Sequence, residues 1–260
     1  MRVLKVGGNE LSDPGFVTLL AQRVSEMRAE TGQPVTIVHG GGRSIANMQA
    51  QLGLETIKVD GLRVTDSESL SVAEMVLSGH SNKILVKALL AAGLDAIGIS
   101  GVDGGLLRCH KKQHPTADLG YVGEIEAVRA ELLQKLARLG LTIVLSPISL
   151  GQDGLTYNVN ADEAASAVAL ATNAEQLDFI SNVPGVLRGD NVIPQLTAVE
   201  SEQLIVDGII SGGMIPKVRA ALQAINQGVA QARIVNLAGL AVGGGTSFIS
   251  ESMSGGQAAS

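Results

Sequence analysis

The chain has no tryptophan, and aromatic residues make up only 2% of its 260 residues. Its core must therefore be filled by Val, Ile, Leu and Ala, and apolar residues do reach 45%. There is one cysteine, Cys109, so no internal disulfide can form, which fits a reducing compartment. No apolar run approaches the roughly 20 residues that span a bilayer. The opening stretch MRVLKVGGNELSDPG has one short apolar run followed by polar residues, unlike a secretory signal. A cytoplasmic protein without membrane association is expected. The net charge is −6 and no Lys/Arg-rich face is visible, which argues against a nucleic-acid partner. The four histidines and one cysteine show no metal-ligand spacing, so no dedicated metal site is expected. A Walker A loop, a protein-kinase catalytic loop and a dinucleotide fingerprint are likewise missing.

What is present is alternation. Short apolar runs of strand type (Val3–Val6, Val35–Val38, Ala96–Ile99, Thr142–Leu145, Leu177–Ser181, Arg233–Val235) alternate with amphipathic stretches. Asp13-Pro14 reads as an N-cap and first helical residue. That helix carries Phe16, Leu19, Leu20, Val24 and Met27 at helical spacing and stops at Gly32. Further helices are expected at about 44–52, after a capping box at Thr65–Glu68 through Leu77, and at Asn82–Ala92. Others follow at Glu126–Leu139, Ala161–Ala171, Val199–Asp207 and Ile215–Gln227. Residues 105–125 are short, polar and turn-rich and read as a β-hairpin excursion, and Gly151–Gly154 as a hairpin turn. The pattern predicts an α/β fold, a three-layer αβα sandwich with a mostly parallel central sheet. One domain is expected, with lobes at about 1–172 and 173–250 and a small polar tail, 251–260, expected to be disordered.

Three of the strands run into glycine-rich turns: Lys5-Val6-Gly7-Gly8, His39-Gly40-Gly41-Gly42 and Ser100-Gly101-Val102-Asp103-Gly104. In open α/β sheets ligands bind beyond the carboxyl ends of the strands. Glycine lets backbone N–H groups approach an anion there, and a following helix adds its N-terminal dipole. Any one such turn is more simply a tight connection; three at successive strand ends point to a ligand site. His39 reads as a structural hydrogen-bonding residue, and Cys109 as inert.

The segments Lys5–Gly8, His39–Gly42, Gly61–Asp66 (GLRVTD), Tyr157–Asp162 (containing NVNAD), Ser181–Val186 and Ser211–Lys217 (containing GGMIPK) stand in the order found in the amino-acid kinase family. Together they resemble that family, and its acetylglutamate branch in particular. The match runs from about Met1 to Lys217 and through the helix after it. Between Val235 and Gly245-Thr246 the chain is shorter than the family pattern.

The resemblance implies ATP and Mg²⁺ as cofactors and N-acetyl-L-glutamate as the small-molecule acceptor. Lys5 and Lys217 would contact the phosphoryl group in flight, with Asp162 holding both lysines; without the resemblance Asp162 reads equally well as a helix cap. Phosphoryl transfer asks for positioning and charge stabilisation, which suits two lysines. Gly41 and Gly42 would wrap the acceptor. Arg63 would offer a bidentate fork to its carboxylate, although a surface ion pair is the commoner fate of an arginine. Asn158 would meet the N-acetyl amide. Nucleotide contacts would come from Gly7, Gly8, Ser181, Asn182, Val183, Pro184, Gly185 and Val186, and from Ile209, Ile210 and Ser211. Mg²⁺ would ride on phosphates and water.

Two other readings stay open. One is the related kinase of lysine biosynthesis, which acts on aminoadipate or glutamate carried on a small acidic protein. The other is a catalytically dead ligand sensor, against which the joint presence of Lys5, Asp162 and Lys217 speaks. Arginine-inhibited members carry an additional N-terminal helix, and here Lys5 already belongs to the first strand. The expectation is a homodimer insensitive to arginine.

Overall fold

The computed structural model describes residues 1–250; the tail 251–260 lies outside them. The first half contains β1 (Arg2–Val6), α1 (Pro14–Thr31), β2 (Val35–His39), α2 (Gly42–Gln51), β3 (Lys58–Val59), β4 (Leu62–Arg63) and α3 (Ser67–Glu74). A π-helical segment (Met75–Ser81) then leads into α4 (Asn82–Ala91) and β5 (Ala96–Ser100). Next come β6 (Leu107–Lys111), β7 (Val122–Val128), α5 (Ala130–Arg138), β8 (Thr142–Ser146), β9 (Ile148–Gly151), β10 (Thr156–Val159) and α6 (Ala161–Ala171). The remainder holds β11 (Gln176–Ile180), β12 (Leu187–Arg188), β13 (Asn191–Val192), β14 (Gln195–Leu196) and α7 (Ala198–Val206). It ends with α8 (Met214–Asn226), β15 (Ala232–Val235), α9 (Leu237–Val242) and β16 (Thr246–Phe248).

Among the described residues, eight strands form one sheet in the order β14-β16-β15-β11-β1-β2-β8-β5. Every neighbouring pair is parallel except β15–β16. Strands buried on both faces explain the continuous apolar runs; Val35–His39 and Thr142–Ser146 are buried at every position. One face packs on α1, with Leu4, Val6 and Ile37 meeting Leu20, Val24 and Met27. The other face, with Val3, Val38 and Phe179, meets Ala165 and Val168 of α6 and Val218 and Ala221 of α8. β1 lies between β11 and β2, so its carboxyl end stands at the centre of the sheet. The region 105–125 is a hairpin as expected, and it closes with β9 and β10 into a small four-stranded barrel, β10-β7-β6-β9.

Several boundaries differ from the sequence reading, each for a physical reason. The stretch from Glu126 is strand through Val128, because Ala127 and Val128 pair with Arg108 and Leu107; the helix starts at Ala130. The cap of α3 is Asp66, which accepts from the Ser69 N–H, while the Thr65 backbone pairs with the Leu119–Tyr121 segment and its hydroxyl donates to the Arg63 carbonyl. The helices expected to stop at Leu77 and restart at Asn82 are joined by the π segment. Leu19 faces outward on α1, and Val17 and Ala21 fill the buried stripe beside Leu20. The short stretch after Val235 still accommodates α9, capped by Asn236 and ended by Gly243 at φ 71°.

Candidate active site

The carboxyl ends of β1, β2 and β11 face two cavities. The first, of ≈ 280 Å³, is lined by Gly40–Gly42, Arg63, Leu77, Asn158 and Asp162, among others. The second is an open cleft of ≈ 1150 Å³ that includes Lys5, Gly7, Gly8, Asn182, Val183 and Lys217. They share Gly42, Lys58 and Arg63. The two cavities therefore adjoin at those residues.

Two turns build the floor. Gly8 and Gly41 touch backbone to backbone: a Cβ on Gly8 would stand 2.5 Å from the Gly41 Cα and N and from the Gly42 N. No side chain fits at position 8, which explains glycine there without appeal to φ, while a Cβ on Gly41 would instead meet Leu77 Cδ2 at 2.7 Å. Gly41 is also the N-cap of α2, and Gly213 that of α8; neither helix has a side-chain cap. Among the described residues the Gly42 N–H at the start of α2 makes no backbone bond and stays open to an anion at the boundary, whereas the first N–H groups of α8 are taken, Met214 by the Ser211 carbonyl at 3.1 Å and Ile215 by the Gly212 carbonyl at 3.3 Å. By contrast α6 is capped by Asn160, whose side chain accepts from the N–H groups of Asp162 and Glu163.

That cap fixes the first turn of α6 and presents Asp162 to Lys5, with Nζ 2.7 Å from Oδ1. Lys217, in the first turns of α8, instead donates to the Ser181 hydroxyl at 2.8 Å. Burial holds the Lys217 pKa below the usual lysine value; Glu10 and Asp162 oppose this and Lys5 adds to it. The two lysines thus reach one cleft from different elements. Glu163 ties the same turn to the barrel, accepting from the Ile125 N–H at 2.9 Å and pairing with Lys112 at 3.2 Å.

The hairpin β3–β4 covers the boundary. Asp60 and Gly61, with φ 49° and 82°, form its two-residue turn, the geometry that favours glycine in a tight hairpin. Arg63 Nη2 donates to the Gly42 carbonyl at 3.0 Å, and Nη1 to Thr56 at 3.0 Å and to Gln49. Burial lowers the Arg63 pKa. Lys58 stands opposite Arg63 in register, so two cations face the same boundary. Asn158 Nδ2 lies 3.4 Å from the Thr65 hydroxyl, and its backbone N–H is bonded to Tyr121.

A model of the amino acid kinase family matches residues 1–236. The chain belongs to that family. An acetylglutamate kinase of Roseiflexus castenholzii is 54% identical over 239 residues, 92% of this chain and 90% of the relative. One of Geobacillus kaustophilus is 47% identical over 90% of this chain and 89% of its own length. In fold alone, the carbamate kinase of Giardia superposes with a TM-score of 0.70 at 15% identity, over 96% of this chain and 99% of that one.

The other positions expected on the nucleotide side of this amino acid kinase are dispersed. Asn182 and Val183 line the cleft, and Ser181 reaches it through Lys217. Pro184 borders a separate hollow beside α9. Gly185 packs on Thr246, whose hydroxyl accepts from the Val186 N–H at 2.8 Å, and Val186 and Ile210 are core residues. Ile209 and Ser211 are exposed on the loop before α8. The sequence reading passed over Lys58, Asn160 and Glu163. An Asn before an Ala-rich helix was a usable cap signal; an exposed lysine in a two-residue strand carries none.

Proposed function

We infer that this amino acid kinase transfers the γ-phosphoryl group of ATP to the side-chain carboxylate of N-acetyl-L-glutamate, a step of arginine biosynthesis. The observation that carries the reading is the junction of the two cavities. An acceptor beside Gly41, Gly42, Arg63 and Asn158 would meet a nucleotide beside Gly7, Gly8, Asn182 and Val183 where Lys5 and Lys217 supply positive charge. Two relatives sharing about half their residues with this chain are acetylglutamate kinases.

A carboxylate oxygen would attack the γ-phosphorus, and the bond from that phosphorus to the β–γ bridging oxygen would break. The products are ADP and an acyl phosphate. No general base is required, because a glutamate-type carboxylate, which ordinarily titrates near about 4.3, is already ionised. The N-terminus of α2 behind Gly41 and the two lysines would stabilise the equatorial oxygens as charge spreads over them. Lys5, held by Asp162, is oriented before the reactants arrive.

Among the described residues no three Cys, His, Asp or Glu side chains gather to hold a metal; Glu10 and Asp13 are the carboxylates lining the cleft. That donor set fits Mg²⁺ carried mainly on phosphate oxygens and water, where it would neutralise developing phosphate charge. We further propose a cytoplasmic homodimer. The free edge of the eight-stranded sheet at β5 supports a two-fold contact that would continue the sheet between subunits. In support, no helix among the described residues is long and apolar enough to cross a membrane. The test of function is an acceptor panel with ATP and Mg²⁺, trapping acyl phosphate with hydroxylamine. Reaction with N-acetylglutamate above glutamate, aspartate, N-acetylaminoadipate and UMP is expected. Failure with N-acetylglutamate contradicts the reading.

A further inference from the structure

We propose that His39 is a positioning residue for phosphoryl transfer, fixing the Gly40–Gly41 peptide so that the Gly41 N–H faces the reacting groups. The proposal rests on the function inferred above. His39 ends β2 and is fully buried. Burial depresses its pKa to about 4, so the ring is neutral and carries a single N–H. Its partners decide which nitrogen holds it. Nδ1 lies 3.2 Å from the Gly40 carbonyl oxygen, which can only accept. Nε2 lies 3.3 Å from Asn82 Nδ2, which can only donate. The proton is therefore on Nδ1 and the lone pair on Nε2.

The consequence is stereochemical. Among the described residues there are no cis peptide bonds. In a trans peptide C=O and N–H point in opposite directions. Drawing the Gly40 carbonyl toward the imidazole turns the Gly41 N–H away from it. That N–H has no backbone acceptor among the described residues, and Gly40–Gly42 border the acceptor cavity. It is the kind of fixed donor that stabilises charge developing on a transferred group.

The imidazole is itself held from behind. Asn82, the first residue after the π segment, shares the two hydrogens of its Nδ2 among His39 Nε2, the Val144 carbonyl at 3.0 Å and the Ile99 carbonyl at 3.3 Å. Its Oδ1 accepts from Lys83 Nζ at 2.9 Å, and Lys83 is the charged group facing the ring. Gly98 makes room for this arrangement: a Cβ there would stand 1.9 Å from Asn82 Oδ1. One connected set of contacts thus runs from the edge strand β5 through Asn82 and His39 to the acceptor turn.

The test compares wild type, His39→Phe and His39→Gln. Calorimetry measures ADP affinity and the affinity of the ADP–aluminium fluoride–N-acetylglutamate assembly, and steady-state kinetics are normalised to folded protein. We expect His39→Phe to bind ADP as wild type does. Its kcat should fall at least about tenfold, with a matching loss of affinity for the transition-state assembly, as when a fixed donor is misaimed. His39→Gln, which retains a donor and an acceptor, should recover part of both. A merely structural His39 predicts a lower melting temperature with kcat per folded molecule and assembly affinity unchanged, and that result overturns the proposal. If His39→Phe does not fold, Asn82→Ala is measured in the same way and should show a smaller loss of the same two quantities. Wild type that makes no acyl phosphate from N-acetylglutamate defeats the functional reading and this proposal together; active wild type with normal variants defeats this proposal alone.

Discussion

Lys5 reaches the cleft from a strand and is held by Asp162, whereas Lys217 reaches it from a helix and is held by Ser181. Neither can substitute for the other, so single replacements should be severe. Lys5→Met and Lys217→Met are each expected to lower kcat at least about a hundredfold, as loss of a transition-state donor does; steady-state turnover near wild type in either would remove that lysine from the site. Arg63 already bonds Gln49, Thr56 and the Gly42 carbonyl, so its guanidinium is aimed before any ligand arrives. A lysine lacks the planar fork. Arg63→Lys should raise KM for N-acetylglutamate well above any change in KM for ATP, and equal changes would make Arg63 a scaffold residue. At this scale the legible residues were those in glycine-flanked motifs at strand ends. Lys58 was not legible, because its place at the boundary comes from standing opposite Arg63 across a two-residue turn.

Helix α1 shows how an element is written into a sequence: Asp13 caps it, Pro14 opens it, and Gly32 closes it at φ 66°. The π segment carries no comparable signal, since its residues suit an α-helix equally well; in the fold its Ser78 hydroxyl bonds the Ser146 hydroxyl at 2.8 Å. The β1 and β2 turns interlock at Gly8 and Gly41. Gly8→Ala would drive a methyl group into backbone that cannot swing aside, and should destabilise the protein by about 1–3 kcal/mol; denaturant melts matching wild type would contradict the contact. β2 also carries a pH signature. The His39 pKa is about 4 in the fold, against 6.5 for an unperturbed histidine. Between these values the unfolded chain binds more protons, so stability rises with pH there. Lowering the pH from about 7 to about 5 should remove about 2 kcal/mol through this group. His39→Gln should lose that component, and identical pH dependence in the two proteins would contradict it.

Across the whole molecule, alternating strands and helices announced the parallel sheet, because strands buried on both faces must be continuously apolar. The barrel closing β6, β7, β9 and β10 was only half visible, since hairpins announce themselves locally while the parallel β7–β10 and β6–β9 pairings join residues far apart in sequence. The sheet also ends at β5, with no strand on its outer side among the described residues. The proposed dimer should give a light-scattering mass near twice 26.7 kDa, and a monomer would leave that edge uncovered. The central claim is carboxylate phosphorylation where two cavities meet. It is tested most directly by hydroxylamine-trapped acyl phosphate from N-acetylglutamate and ATP·Mg²⁺, measured for wild type and Lys217→Met at equal folded concentration. Rapid product formation by wild type, nearly abolished in Lys217→Met, is the predicted result. No acyl phosphate from wild type, or equal formation by both proteins, would contradict the account.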